Sequence, residues 1–364
     1  MRPLHYDSGR NAGWRYDGCH RSPILYVYRS KGIIEVKKKS WIAYSLAAAC
    51  VAAAVISVCL GDTYISPFQV FQSFVGKGSD TNTMIIEMLR LPRIATALLV
   101  GASLAVAGSI LQDIVRNPMA SPEMLGVTGG ASAAAVAFLT FAAGTVSIRW
   151  LPVSALAGAG IVSLVLYLFA WKRGVTSMRL ILIGVGMSAL MSGATTMMIV
   201  FNPKNDAGQA YTWLTGSVYA ANWENVLLLL PWTIILLPLT MLMTRHVNIA
   251  QLGDDIATSS GSRVQLNRFI LLMISVALAG SAVSVGGGIG FVGLLAPHMA
   301  RKLIGANFKR VMPVSAMLGA IIVMLADLIG RTAFLPLDVP AGVFTAAIGA
   351  PFFIYLLYAR RNES

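Results

Sequence analysis

Residues 269–300 read FILLMISVALAGSAVSVGGGIGFVGLLAPHMA, with no Asp, Glu, Lys or Arg among them. About 20 apolar residues carry an α-helix across the hydrocarbon core of a bilayer. This run exceeds one crossing and is interrupted by Gly286-Gly287-Gly288. It therefore predicts two short helices joined at a glycine break. Eight more uncharged stretches surround it, at 41–61, 94–112, 124–148, 150–171, 180–203, 225–244, 311–326 and 339–359. The stretch at 311–326 extends through Asp327 to about Gly330. Barrel strands are shorter and alternate in hydropathy, so only helices suit the pattern. The expected fold class is an all-α polytopic membrane protein with about ten transmembrane helices.

Composition agrees. Of 364 residues, 56% are hydrophobic and 12% are charged, and the mean hydropathy is +0.71. Soluble domains carry about 25% charged residues. A water-soluble globule of this size could not hide that much apolar surface. Small residues crowd the stretches, as in Gly101-Ala102-Ser103 and Gly184-Val185-Gly186. Lipid offers little hydrophobic drive between helices, so close backbone approach must supply the packing.

The net charge is +13. In a soluble chain this would point to nucleic acid. Here the location of the 28 Lys and Arg decides against it. Nine lie in residues 1–40, thirteen in the loops after even-numbered spans and at the C-terminus, and six in the loops after odd-numbered spans. The positive-inside rule then predicts both termini in the cytoplasm. The expected organisation is a mobile basic tail at 1–40 and one transmembrane domain at 41–361. The tail lacks the early apolar core of a secretory signal.

The chemistry-bearing residues are few. Cys19, Cys50 and Cys59 form no CxxC, and the four histidines are scattered, so no metal-ligand spacing exists. No GxxxxGK[ST] occurs; Gly76-Lys77-Gly78 is a fragment of one. The chain therefore has no phosphate-cradling P-loop. Ion-coupled carriers keep ionisable groups near the midplane. Asp113, Glu123 and Asp327 instead fall near span ends, and Asn117-Pro118 with Pro122 reads as a cytoplasmic turn. His298 reads as a structural histidine rather than a ligand. Trp213, Trp223, Trp232, Tyr211 and Tyr219 cluster as an interfacial aromatic belt does.

The large loop at 245–268 contains Leu252, Ile256 and Ser260 at helical spacing. Asp254 and Asp255 sit early, where the helix dipole favours anions, and Gly261 is placed to end the helix. It is either an interfacial connector or a short helix that docks a cytoplasmic partner. Met187, Met191, Met197 and Met198 fit two readings too, the lining of a path for a bulky ligand or ordinary packing.

Several separated stretches carry a family resemblance. They are Arg90-Leu91-Pro92-Arg93 with Gly101–Gly108, Arg116-Asn117-Pro118-Met119-Ala120-Ser121-Pro122 with Leu125-Gly126, and Leu252-Gly253-Asp254 with Ala257 and Gly261. Gly290–His298 with Arg301, Ala326-Asp327 with Arg331, and Pro340-Ala341-Gly342-Val343 with Gly349–Phe353 complete the set. In this order the sequence resembles the FecCD-type permeases of type II ABC importers, which carry iron-siderophores, haem or cobalamin. Residues 1–36 lie outside the resemblance.

The resemblance implies ten spans and a dimer, with a second copy or close paralogue, whose substrate path runs between the copies. It implies an ABC ATPase subunit that hydrolyses ATP, with the 245–268 loop coupled to it through Leu252, Gly253, Asp254, Ala257 and Gly261. It implies an extracytoplasmic substrate-binding protein whose glutamates meet Arg90, Arg93 and Arg331, although Arg331 could instead pair with Asp327 four residues earlier. No cofactor is expected on this chain. The expected cargo is a ferric siderophore, with haem or cobalamin as the alternative and an ion-coupled secondary transporter as the outlier.

Overall fold

A computed structural model describes residues 23–361, apart from 143–144, 173 and 202–206, with side chains from residue 41 onward except at 207, 357 and 359–361. Of the tail expected at 1–40, residues 1–22 lie outside the described residues, and 23–40 are the first part of a helix that runs on to Cys59 rather than a separate tail. The helices, in chain order, are α1 (Pro23–Cys59), α2 (Pro67–Phe74), α3 (Asp80–Met84), α4 (Leu91–Val115) and α5 (Val127–Ala137). Then come α6 (Leu151–Ala170), α7 (Ser177–Val200), α8 (Ala207–Thr215), α9 (Trp223–Leu242) and α10 (Thr244–Gln251). The last are α11 (Asp254–Ser259), α12 (Val264–Gly286), α13 (Val292–Ile304), α14 (Phe308–Thr332) and α15 (Ala341–Arg361).

Ten of these coincide with the predicted spans: α1, α4, α5, α6, α7, α9, α12, α13, α14 and α15. Seven helical segments among the described residues are long and apolar enough to cross a bilayer alone. Among the described residues, 45–361 fall in one compact unit and 23–44 in another. In the larger unit α4 is the axis. It is enclosed by α9, α12, α13 and α14 and is buried along nearly its whole length. The glycine pattern explains how backbones come so close. A Cβ on Gly101 would overlap the Gly319 carbonyl of α14, and one on Gly108 would overlap the Gly293 carbonyl of α13. These contacts are the small-residue packing that lipid-embedded helices rely on.

Three expectations change in detail. The 269–300 run does break at the glycines, but not into two short helices. α12 is a full crossing that takes up Val264–Arg268 from the loop, and only α13 is short, at 13 residues. The 124–148 stretch is helical only from Val127, with a π-turn at Phe138–Ala142. It starts late because Pro122–Leu125 form a 3-10 turn and Gly126, at φ 73°, redirects the chain before α5 begins. The 245–268 loop holds two helices, α10 and α11, because Gly253 at φ 117° turns the chain between them.

Candidate functional site

Polar chemistry concentrates at the two ends of α4. Twenty residues separate Arg93 from Asp113, which at 1.5 Å per residue is about 30 Å, the thickness of the hydrocarbon core. Each end carries its own ionic cluster.

At the Arg90 end, the last carbonyls of α1 lack intrahelical partners, as at every helix C-terminus. Arg90 fills that role. Its Nη1 donates to Val58 O at 2.6 Å and Cys59 O at 3.1 Å. Arg331 Nη2 donates to Ser57 O at 2.6 Å, and its Nε lies 3.6 Å from Asp327. Arg93 bridges two carboxylates. Its Nε donates to Asp327 at 2.9 Å, and its Nη1 and Nη2 pair with Asp338 at 2.8 and 2.9 Å. Its Cζ sits 5.5 Å from the Tyr219 ring centre. Arg90, Arg93, Arg331, Tyr219 and Asp338 border a cleft of about 550 Å³. All three predicted arginines therefore come together, but they turn inward. Arg90 and Arg331 are only 5% and 6% exposed.

At the Asp113 end, Asp254 is the hub. Both its carboxylate oxygens accept from Arg268 Nη2 at 3.0 Å, and Arg116 of the α4 C-terminus pairs with it from the other side. Arg116 Nε also donates to Ala250 O at 2.9 Å. The predicted coupling residues thus divide. Asp254 and the buried Ala257 hold α11 on the bundle, while Leu252 and Ile256 stand 62% and 52% exposed. Gly253 and Gly261, at φ 117° and 77°, bend the chain at either side of α11. A neighbouring cavity of about 440 Å³ is bordered by Gln112, Asp113, Gln251 and Arg301, with Arg301 3.5 Å from Asp113.

The four methionines of α7 do not share one face. Met187 and Met191 lie over Gly126 and Gly129, and Met198 packs on Val136 and Leu139. Met197 is 62% exposed. α7 is otherwise thinly covered, with Leu182, Val185 and Leu190 open as well.

Residues 49–359 match the FecCD transport family. The chain belongs to that family. It is a FecCD-type permease, a multi-pass membrane protein with the fold of type II ABC importer permeases. It is 48% identical over 338 residues to the "Probable siderophore transport system permease protein YfhA" of Bacillus subtilis (strain 168), covering 91% of this chain and 98% of that one. It is 43% identical over 311 residues to the "Iron(3+)-hydroxamate import system permease protein FhuG" of the same organism, covering 83% and 92%. A solved chain of a "metal-chelate type ABC transporter" in an inward-facing conformation superposes with a TM-score of 0.77 at 29% identity, covering 88% of this FecCD permease and 99% of the other chain.

Reasoning from the sequence missed Asp338, Arg116, Arg268 and Glu123. Asp338 and Arg268 gave no signal beyond being charges beside a span. Glu123 had one: with Asp113 it is one of only two carboxylates between the second and third apolar stretches, seven residues beyond Arg116.

Proposed function

We propose that this chain is the permease subunit of a binding-protein-dependent ABC importer for ferric siderophores. The observation that carries this is 48% identity along 91% of the chain to a relative named for siderophore transport. The iron(3+)-hydroxamate relative favours the same cargo class over haem or cobalamin. No observation favours an ion-coupled carrier.

In this reading the Asp113 end and both termini, with the basic stretch at 1–40, face the cytoplasm. The partition of Lys and Arg supports that orientation. A separate ABC ATPase docks there and hydrolyses ATP, so this chain has no enzymatic site of its own and holds no cofactor. Leu252 and Ile256 make the contact, Asp254 and Ala257 transmit it to α4 and α12, and Gly253 and Gly261 set the angle of α11. A short rigid helix seated this way passes rigid-body motion into the bundle.

The Arg90 end receives the substrate-binding protein. Arg90 and Arg331 fix the rim by capping α1. Arg93 reaches the partner by exchanging Asp338 for a glutamate of that protein. A second copy, or a close paralogue, covers α7, and the cargo passes between them. There Met197 faces the path, while Met187, Met191 and Met198 support it from behind. Co-purification tests the assembly. The tagged chain, extracted mildly from its own membranes, should bring down a P-loop ATPase subunit. Recovery without any ATPase would argue against the importer.

A further inference from the structure

Glu123 was expected near a span end. The contacts put it much deeper. Its carbonyl accepts from Ser188 Oγ at 3.0 Å. Ser188 is eleven residues into α7, about 16 Å from the start of that helix. Its carboxylate Oε1 accepts from the Phe291 N–H at 3.0 Å. Phe291 precedes α13, whose thirteen residues place it about 20 Å from the far end of that helix. Both helix ends used here belong to the Asp113 side, since Ser177 Oγ reaches Ile114 O and Arg301 pairs with Asp113. Two independent rulers thus agree that Glu123 lies near mid-depth.

The partner it holds is unusual. Phe291 is a bulky residue in the left-handed region, at φ 66°, which persists only where its surroundings enforce it. It caps α13 without a side-chain bond of its own. A carboxylate on an N-terminal N–H also meets the positive end of the helix dipole. Around it the break is cradled on every side. Gly287 and Gly288 lie against the Trp213 and Leu214 carbonyls of α8, and the Phe291 ring occupies the space where Gly349 of α15 has no Cβ. Ser121 Oγ, 3.3 Å from Oε2, fixes the carboxylate from its own loop.

We infer that Glu123 is a positioning residue for transport. It fastens the α12–α13 break to α7, so that α7 and α13 move as one body when access switches. The carboxylate grips α13 and the carbonyl grips α7. This rests on the chain being an ABC importer permease, and the test separates the two ideas. Nitroxide labels are placed at Leu190→Cys on α7 and Leu303→Cys on α13, in the full chain with Cys19, Cys50 and Cys59 replaced by alanine. Interspin distances are measured on the permease alone, and on its complex with the ATPase before and after trapping with ATP and vanadate.

The expected result is one narrow distance that trapping leaves unchanged. Glu123→Ala should broaden it or move it by about 5 Å, one helical turn. Glu123→Gln, which keeps an oxygen to accept from Phe291, should restore the narrow distance. If Glu123→Ala does not fold, Ser188→Ala supplies the same reading from the α7 side. An interspin distance that shifts on trapping in the parent chain would overturn the proposal, as would an unchanged distribution in Glu123→Ala or, failing that, in Ser188→Ala. The measurement on the permease alone holds whether or not an ATPase binds.

Discussion

Arg93 and Asp327, 234 positions apart in the chain, close α4 onto α14 through a nearly buried pair, with Arg93 Nη2 2.8 Å from Asp327 Oδ1. The pair is one half of a larger arrangement. Asp327 also faces Arg331, and Arg93 continues outward to Asp338. One buried carboxylate therefore neutralises charge from two helices.

Asp327→Ala should be among the most damaging single changes. It leaves Arg93 and Arg331 short of a counter-charge, and unpairing a buried ion costs about 3–5 kcal/mol. The expected outcome is a marked fall in the thermal midpoint of the detergent-solubilised permease and loss of monodisperse protein. A variant as stable as the parent would show that the pair is dispensable.

Asp338 sits at the exposed end of the same chain of charges, 24% exposed against 4% for Asp327. If Arg93 trades Asp338 for the binding protein, Asp338→Asn should strengthen docking, by up to about fivefold given what a rim charge is worth. The gain should appear in the association rate and fade with added salt. Weaker docking, measured by surface binding to the reconstituted permease, would rule out the exchange.

On α11 two neighbours should behave in opposite ways. Ile256 is open and Ala257 is 1% exposed. Ile256→Glu should lose the ATPase subunit in a pull-down while the permease keeps its thermal midpoint. Ala257→Phe should lower the midpoint, since overpacking a filled contact costs about 1–3 kcal/mol. Equal effects from both would mean that α11 is only a connector.

Gly108 and Gly160 make a similar contrast. A Cβ on Gly108 would overlap the Gly293 backbone, which cannot rotate away, whereas nothing lies within 4 Å of the position on Gly160. Gly108→Ala should sharply reduce the folded protein recovered from membranes, and Gly160→Ala should leave it unchanged. Normal recovery of Gly108→Ala would mean that α4 and α13 are less tightly joined than described.

These contrasts mark what could be read in advance. The spans were legible because each must hold an apolar run of bilayer length, and the α12–α13 break was legible in three consecutive glycines. The resemblance carried the family and the order of its motifs. Other features depend on partners hundreds of positions away. Arg90 looks exposed at a helix start until the unpaired carbonyls of Val58 and Cys59 are brought to it. Asp254 looks like a dipole residue until Arg116 and Arg268 arrive. Asn117-Pro118 and Pro122 have the composition of a surface turn. Nothing local reveals that the segment runs inward and carries Glu123 to Phe291.

The central claim is that this permease moves cargo on energy released by a separate ATPase seated at the Asp113 end. Uptake of a ferric hydroxamate siderophore into proteoliposomes tests it most directly, with the chain reconstituted alone or together with its ATPase and binding protein. The account predicts accumulation only when ATP, the ATPase and the binding protein are all present. Uptake by the chain alone, driven by an ion gradient, would contradict it.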